Sequence, residues 1–263
     1  MLIETLLNNC HYFKGFKYRN SRLKEQVIGE KYIVIDLMSR KNTKGKCMEC
    51  RHPSPTYDHQ KKRIFLFIPL WGYKVEIHYA PRRVECPVHG IHVEYMPWAN
   101  GKSVLTNTMK LFIGHWAKKL SWKEVGETFK VGWHQVMEAV KYVVDYGLTN
   151  RDLSNIESIG IDEIQYQNGH NYLTLIYQID AELKRLLWIG KERKANTLRR
   201  FFKWFGAEKT KKLKAICCDM WKPYLKVIKK KVKNALVILD RFHIMKMFNK
   251  AIDDTRKQES AQF

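Results

Sequence analysis

The hydrophobic pattern of the first hundred residues has the short period of β-structure. Apolar and aromatic runs of strand length stand at YIVIDLM (32–38), RIFLFI (63–68) and YKVEIHY (73–79). A proline and a Trp-Gly pair separate the last two runs, so we predict that they form a β-hairpin. Residues 96–103, MPWANGKS, carry a proline and a glycine that interrupt any regular pattern, and we interpret them as a linker.

Helical periodicity follows this segment. LTNTMKLFIGHWAKKL (105–120) predicts an amphipathic helix. Ser121 and Glu124 have capping-box spacing at the start of a short helix, and a glycine-containing turn separates it from a longer one. This arrangement is typical of a helix-turn-helix, whose second helix can lie in the DNA major groove. An ordinary helical hairpin with its Trp and Val residues in the core is the alternative. The candidates for DNA contact on the second helix are Trp133, His134, Gln135 and Lys141.

The pattern changes again after residue 156. Three successive strand-like runs, the first two joined by an Asn-Gly turn, precede alternating helical and strand-like segments. This order is typical of an α/β domain with a mixed sheet. Strands are predicted at 156–166, 171–180, 185–190, 213–219 and 235–240, and helices at 196–206 and 221–234.

These changes of pattern predict a multidomain α+β protein. A chain of 263 residues exceeds one average domain. We assign a β domain to residues 1–99, a helix-turn-helix domain to 100–150, and the N-terminal part of an α/β domain with a mixed sheet to 151–263.

Charge identifies the class of partner. The formal net charge is +22 and the sequence pI is about 9.7, which favours a polyanion. Residues 184–233 hold 18 basic and three acidic residues, interleaved with aromatic side chains. We interpret this segment as helices with a basic face for phosphate, including Lys229, Lys230 and Lys231, although a solvated surface is the alternative. The sequence lacks a membrane span or signal peptide, which predicts a cytoplasmic, nucleoid-associated protein.

Two matched pairs of metal-ligating side chains flank the predicted hairpin. Cys47 and Cys50 stand in KCMEC, and Cys86 and His89 stand in ECPVHG. Each pair has the spacing that lets two side chains reach one tetrahedral ion from a tight turn, so we predict a Cys₃His zinc site. Two unrelated clusters of free cysteines are the alternative.

Carboxylates at the ends of apolar strands are the candidates for catalysis. Asp162 lies within IGIDEIQ and Asp219 ends the strand in AICCDMW. On neighbouring strands these two can share Mg²⁺ or Mn²⁺, which supports phosphodiester chemistry. Asp240, in LDRFHIMK, is a further candidate, although an ion pair with Arg241 would explain it equally well.

Several segments together resemble the ISL-three family of bacterial insertion-sequence transposases. The similarity covers essentially the entire chain, and DMWKPY and DRFH are its more specific parts. The segments, in order, are the Cys-x-x-Cys pair, the hairpin, RRVECPVH, the helix-turn-helix, GIDE, YLTLIYQID, KERKANTLRRFF, CCDMWKPY and LDRFHIMK.

The resemblance implies a zinc-binding N-terminal domain, a helix-turn-helix for the ends of the element, and a ribonuclease-H-like core with an Asp-Asp-Glu triad. Asp162 matches the first aspartate and Asp219 the second. Such an enzyme would bind the terminal inverted repeats, cut there with metal-activated water and join the freed 3′-hydroxyl to target DNA. The implied partners are double-stranded DNA at the element ends and target, and further copies of the chain when active.

The third acid is where the sequence departs from the family. The family's glutamate lies on a helix well beyond DRFH, whereas Glu259 comes too soon and in a polar tail. We therefore expect a truncated transposase, inactive by itself. A non-catalytic protein that occupies the repeats as a repressor is the alternative, and an RNA-processing nuclease of the same fold is a third hypothesis.

Overall fold

The chain divides into two compact units, Met1–Arg151 and Asp152–Phe263. The computed structural model describes residues 2–25, 29–180 and 184–260. Residues 1–99 and 100–150, which we predicted as separate domains, lie within the first unit.

The first unit begins with β-structure around an aromatic core. Its main sheet has the order β1-β2-β7-β6, in which β2 and β7 are parallel and the other neighbours antiparallel. The unit also contains a two-stranded sheet, β3-β4, and a three-stranded sheet, β5-β8-β9. The elements are α1 (Ile3–Cys10), β1 (Phe16–Glu25), β2 (Lys31–Ser39), β3 (Gly45–Lys46), β4 (Pro53–Ser54), β5 (Thr56–His59), β6 (Arg63–Leu70), β7 (Tyr73–Tyr79), β8 (Arg82–Cys86) and β9 (Gly90–Val93).

The segment interpreted as a linker is part of this core. Trp98 is 1% exposed, and its ring packs edge-on against Phe16, Phe65 and Tyr79 with centroids 4.8–6.1 Å apart. The linker interpretation is therefore wrong. Pro97 and Gly101 do interrupt regular structure, but irregular backbone can still bury an indole, and this contact contributes strongly to core energetics.

Three helices complete the first unit: α2 (Asn107–Trp116), α3 (Trp122–Phe129) and α4 (Trp133–Asn150). The hydroxyl of Thr106 caps α2 by accepting from the Met109 amide (3.1 Å) and donates to the Leu66 carbonyl of β6 (2.9 Å). The predicted capping box of α3 is confirmed, because the Ser121 and Glu124 side chains each accept from the other's amide (3.3 and 2.8 Å). The helices share a buried apolar core with side chains from β6.

A buried ion pair joins β8 to the chain beyond β9. Glu94 is inaccessible to solvent and Arg82 nearly so, and the Arg82 guanidinium donates to Glu94 Oε2 from Nη2 (2.7 Å) and Nε (2.9 Å). Tyr79 also donates to Glu94. Removing one partner leaves the charge of the other unpaired in the interior.

Arg82→Ala is accordingly expected to lower the free energy of unfolding by about 3–5 kcal/mol. Chemical denaturation monitored by tryptophan fluorescence measures this value. Arg83→Ala is the matched control, since the side chains of Arg83 and its partner Asp58 are about 40% exposed, and it should change the midpoint little. Equal effects of the two substitutions would contradict the buried-pair argument.

The second unit is a mixed five-stranded sheet with helices between its strands. The strand order is β12-β11-β10-β13-β14. The first three strands are antiparallel to one another, and β13 pairs parallel with both β10 and β14. The predicted mixed sheet is confirmed, and α6 is a helix that the sequence pattern did not indicate. The elements are β10 (Ser158–Gln167), β11 (Asn171–Gln178), β12 (Arg185–Lys191), α5 (Ala195–Phe205), α6 (Ala207–Lys212), β13 (Ala215–Cys218), α7 (Lys222–Lys231), β14 (Leu236–Leu239) and α8 (Arg241–Ser260).

The core of this unit lies on one side of the sheet. Phe201, Phe205 and Tyr224, from α5 and α7, pack on Ile159 and Ile216 of the central strands. Alternation along β10 then places Ile159 and Ile161 on the helix side and Asp162 away from it. By contrast, β14 is exposed throughout and α8 has no buried residue among those described.

Candidate functional site

The four predicted zinc ligands come together. Cys47 and Cys50 follow β3, Cys86 ends β8, and His89 lies in the turn before β9. Their ligand atoms all lie within 4.8 Å of one another. The Sγ atoms of Cys50 and Cys86 are 3.6 Å apart, and His89 Nδ1 is 3.8 Å from Cys47 Sγ and 3.7 Å from Cys86 Sγ. Ligands of a tetrahedral zinc ion are about 3.6–3.8 Å apart, so this donor set fits zinc.

Two tight turns produce this geometry. Arg51 (φ +62°) and Gly90 (φ +72°) adopt the left-handed conformation, which lets each pair fold back on itself. Burial opposes ionisation of the Cys86 thiol, but hydrogen bonds from the Val88 and His89 amides and the His89 ring lower its pKa to about 6. A thiolate is the form that binds metal.

The predicted DNA-contacting residues on α4 differ in their surroundings. Trp133 is 56% exposed, and His134 and Lys141 are also exposed. Gln135 is half-buried, and its Oε1 accepts from the Gly132 amide (2.8 Å), which caps the helix. One lone pair of the Gln135 oxygen is therefore used within the chain, and the amide donor is still available to a partner outside it.

The predicted basic residues of the second unit lie on α7. Lys229, Lys230 and Lys231 form its last turn and are exposed. Arg199 of α5 lines the same groove as Lys230 and Lys231. This groove presents positive charge with few acids nearby, as phosphate contacts require.

The candidate acids collect at the carboxyl edge of the parallel strands. Gly160 pairs with Cys217 in the β10–β13 register, so Asp162 and Asp219 each lie two residues beyond a paired position. The Asp240 amide donates to the Cys218 carbonyl (2.9 Å), which places Asp240 at the same edge. Asp219 and Asp240 thus directly follow the parallel strands β13 and β14, and Asp162 lies within the neighbouring strand β10.

Asp162 and Asp240 share one neighbour, the Cys217 thiol. Burial raises the pKa of the Cys217 thiol, and the nearby carboxylates of Asp240 and Asp162 raise it further. Asp240 Oδ1 also accepts from the Phe242 amide (2.9 Å) at the start of α8, and Oδ2 is 3.8 Å from His243 Nε2. The basic side chain beside Asp240 is therefore that of His243.

Asp219 shares an arginine partner with an acid that sequence reasoning missed. Arg193 bridges the two carboxylates, with Nη2 2.5 Å from Asp219 Oδ2 and Nε 3.1 Å from Glu163 Oε2. Burial raises the pKa of Glu163, and the charge of Asp219 raises it further although Arg193 opposes this shift. Within the sequence, the only signal for Glu163 is its place beside Asp162 in an otherwise apolar run.

The last acid of the sequence analysis is Glu259. It lies in α8, which among its described residues buries none. The tail residues 261–263 lie outside the described part of the chain. The predicted absence of a third catalytic acid stays a prediction.

No helix in the described ranges is both long and apolar enough to cross a lipid bilayer.

Comparison with known proteins supports a transposase. Residues 159–263, which hold all of the candidate acids, match the ISL3 model of the DDE transposases, described as a transposase family. The chain is 26% identical over 195 residues to the transposase for insertion sequence element IS1001 of Bordetella parapertussis, covering 74% of this chain and 48% of that protein. It is 29% identical over 228 residues to the transposase for IS1557 of Mycobacterium tuberculosis (strain H37Rv), covering 86% and 51%.

The chain therefore spans about half the length of the curated relatives that it matches. The predicted resemblance to the ISL-three family of insertion-sequence transposases is confirmed.

Proposed function

We propose that this chain acts in DNA transposition, binding the terminal inverted repeats of an insertion sequence and cutting and joining DNA by metal-dependent phosphoryl transfer. One observation carries the proposal. The segment that matches the transposase family is the segment whose central parallel strands bring Asp162, Asp219 and Asp240 to one sheet edge. The strand order, three antiparallel strands followed by two parallel ones, supports a ribonuclease-H-like core.

The proposed chemistry rests on Asp162 and Asp219. Carboxylates are preferred ligands for Mg²⁺ and Mn²⁺, and such ions activate an attacking oxygen and stabilise the leaving oxygen of a phosphodiester. Asp219 is held in place by Arg193 and by the Trp221 amide, which donates to its Oδ1 (3.1 Å). Fixing an acid in this way pre-organises it for its role.

The proposed metal of the first unit is a structural zinc ion at Cys47, Cys50, Cys86 and His89. All four positions of the tetrahedron are protein ligands, which is the arrangement of structural sites and leaves no open position for catalysis.

DNA binding is proposed to be divided between the two units. The exposed N-terminal part of α4 would read bases, and the lysines of α7 would contact phosphates. Changing Lys229, Lys230 and Lys231 together to Gln should weaken specific and random duplex binding alike. The slope of log affinity against log salt should fall by about one for each lysine that contacts a phosphate. Fluorescence anisotropy over a salt series measures both quantities.

Gln135→Glu should have the opposite signature. It keeps the oxygen that caps α4 and removes the amide donor, so discrimination between specific and random duplex should fall about tenfold. Because the added negative charge weakens binding to both duplexes, the ratio of the two affinities is the quantity that decides. Equal loss of discrimination in the Gln135 and lysine variants would contradict this division.

The function itself is tested with DNA from the borders of the element that encodes the chain. The protein should bind border fragments in preference to shuffled duplexes of the same composition. Equal binding to border fragments and shuffled duplexes would contradict the proposal. Preference without cleavage in every form of the protein would favour the repressor.

A further inference from the structure

The tip of the β6–β7 hairpin carries an exposed tryptophan in a strained conformation. Leu70 pairs with Tyr73, so Trp71 and Gly72 form a two-residue turn, in which both have positive φ (+51° and +80°). Asparagine, aspartate and glycine adopt such a turn at low cost, whereas a bulky side chain rarely does. Trp71 is 73% exposed, so little burial within the chain offsets the strain. Strain held on an exposed aromatic residue points to a contact outside the chain.

The hairpin tip lies beside the turn that joins α3 to α4. Gly72 and Tyr73 line a cleft of about 660 Å³ together with Phe129 and Lys130 from that turn. The helix α4 begins at Trp133, three residues beyond Lys130. The tip and the start of α4 are therefore placed to contact neighbouring grooves of one duplex, whose major and minor grooves are about 12 and 6 Å wide.

Two sets of contacts fix the hairpin to the helices. The Leu66 amide of β6 donates to the Val104 carbonyl (2.7 Å), and the Thr106 amide before α2 donates to the Leu66 carbonyl (3.0 Å). Lys130 in the α3–α4 turn forms an ion pair with Glu30, which directly precedes β2, the strand that pairs with β7. These contacts hold the tip at a fixed place relative to α4 before any partner binds, which lowers the cost of binding.

The charge behind the tip is suited to DNA. Lys31 and Lys74 line the same cleft as the tip residues. Lys74 pairs with Glu76 (2.9 Å), whereas Lys31 is exposed and forms no ion pair with an acid in the described ranges. An apolar tip with lysines behind it is a combination found in proteins that bind the minor groove, where the apolar side chain meets the bases and the cations meet the phosphates.

We propose that the β6–β7 tip enters the DNA minor groove next to the major groove that α4 reads, with Trp71 against the bases. This inference deepens the proposed function and rests on it, because it names a second element of the first unit that contacts the border duplex. Trp71 is then a specificity-determining residue, since flexible base steps admit its ring more easily than stiff ones. Apolar contact releases no counterions, so the tip adds nothing to the salt dependence of binding.

Binding of the zinc-loaded full chain to border fragments tests the tip. Trp71→Gly removes the ring and relieves the positive φ while adding freedom to the unfolded chain, so the melting temperature should change little. Affinity for the border fragment should nevertheless fall about tenfold, with an unchanged salt slope. Trp71→Phe should recover most of the loss, because it restores a ring. Tyr57→Ala, which removes an exposed ring from β5, should leave affinity within about twofold.

Dimethyl sulfate interference identifies the groove. The reagent methylates N7 of guanine, which lies in the major groove, and N3 of adenine, which lies in the minor groove. Adenine methylation beside the bases read by α4 should block binding of the unaltered chain and have no effect on Trp71→Gly. Guanine methylation should interfere equally with both proteins.

The outcomes separate this inference from the proposed function. Equal affinity of Trp71→Gly and the unaltered chain, while both prefer border fragments, overturns the inference alone. A loss of affinity without any effect at adenine N3 also overturns it, because the ring then acts outside the minor groove. Equal binding of border and shuffled fragments by the unaltered chain contradicts the proposed function and this inference with it. If Trp71→Gly does not fold, Trp71→Asn takes its place, because asparagine tolerates the left-handed conformation.

Discussion

Cys86→Ser is expected to yield protein without zinc, whereas the unaltered chain should carry about one equivalent, as one Cys₃His site predicts. The buried apolar cluster at this site consists of Cys47, Val84 and Cys86 alone. Ligand bonds must therefore replace the hydrophobic core that such short strands lack, and losing the ion should unfold the β3–β4 and β5–β8–β9 region. Metal analysis of protein purified without added metal gives the stoichiometry, and amide hydrogen exchange locates the unfolding.

Two variants make this result specific. Cys10→Ser removes an exposed thiol outside the cluster and should keep both zinc and protection from exchange. His89→Cys should also keep zinc, because Cys₄ is an equally common structural donor set. Unchanged zinc content in Cys86→Ser would contradict the predicted site. Loss of zinc in Cys10→Ser would show that the effect of a cysteine substitution is not specific to the four predicted ligands.

Part of the molecule was predictable from its sequence because the signals for it are local. The x-x spacing of the cysteine and histidine pairs and the Ser121–Glu124 capping box each involve residues within one turn of chain. Their geometry depends little on the rest of the fold. The strand and helix order of the second unit was also predictable, because its hydrophobic runs are long and clearly periodic.

Other features depend on contacts that no local pattern encodes. Trp98 stands among turn-forming residues, and only the assembled sheet shows that its indole fills the core. Gln135 has the exposure pattern of a base-reading residue, yet its oxygen caps α4. Parallel pairing of β10 with β13 brings Glu163 and Asp219, more than 50 positions apart in the sequence, close enough for Arg193 from a third segment to bridge them.

The 263-residue chain is expected to bind element-end DNA without Mg²⁺- or Mn²⁺-dependent cleavage above background. The triad implied by the resemblance needs three acids for catalysis. Asp162 and Asp219 supply only two of them. Among the acids that the structure describes at the sheet edge, Asp240 is occupied with the start of α8 and with His243. A denaturing gel of end-labelled border DNA measures cleavage directly.

Adding the corresponding C-terminal segment of a longer relative is expected to restore cleavage. In that protein, Asp162→Asn or Asp219→Asn should lower the rate by roughly 10³-fold or more, because each removes charge stabilisation from the phosphoryl transition state. Neither substitution removes a positive charge, so DNA affinity should stay within a few-fold. Cleavage by the 263-residue chain alone would show that an acid within it completes the site. Asp240→Asn would then be the decisive variant, because Asp240 lies beside the strand that carries Asp219, and its carboxylate, like that of Asp162, raises the pKa of the Cys217 thiol.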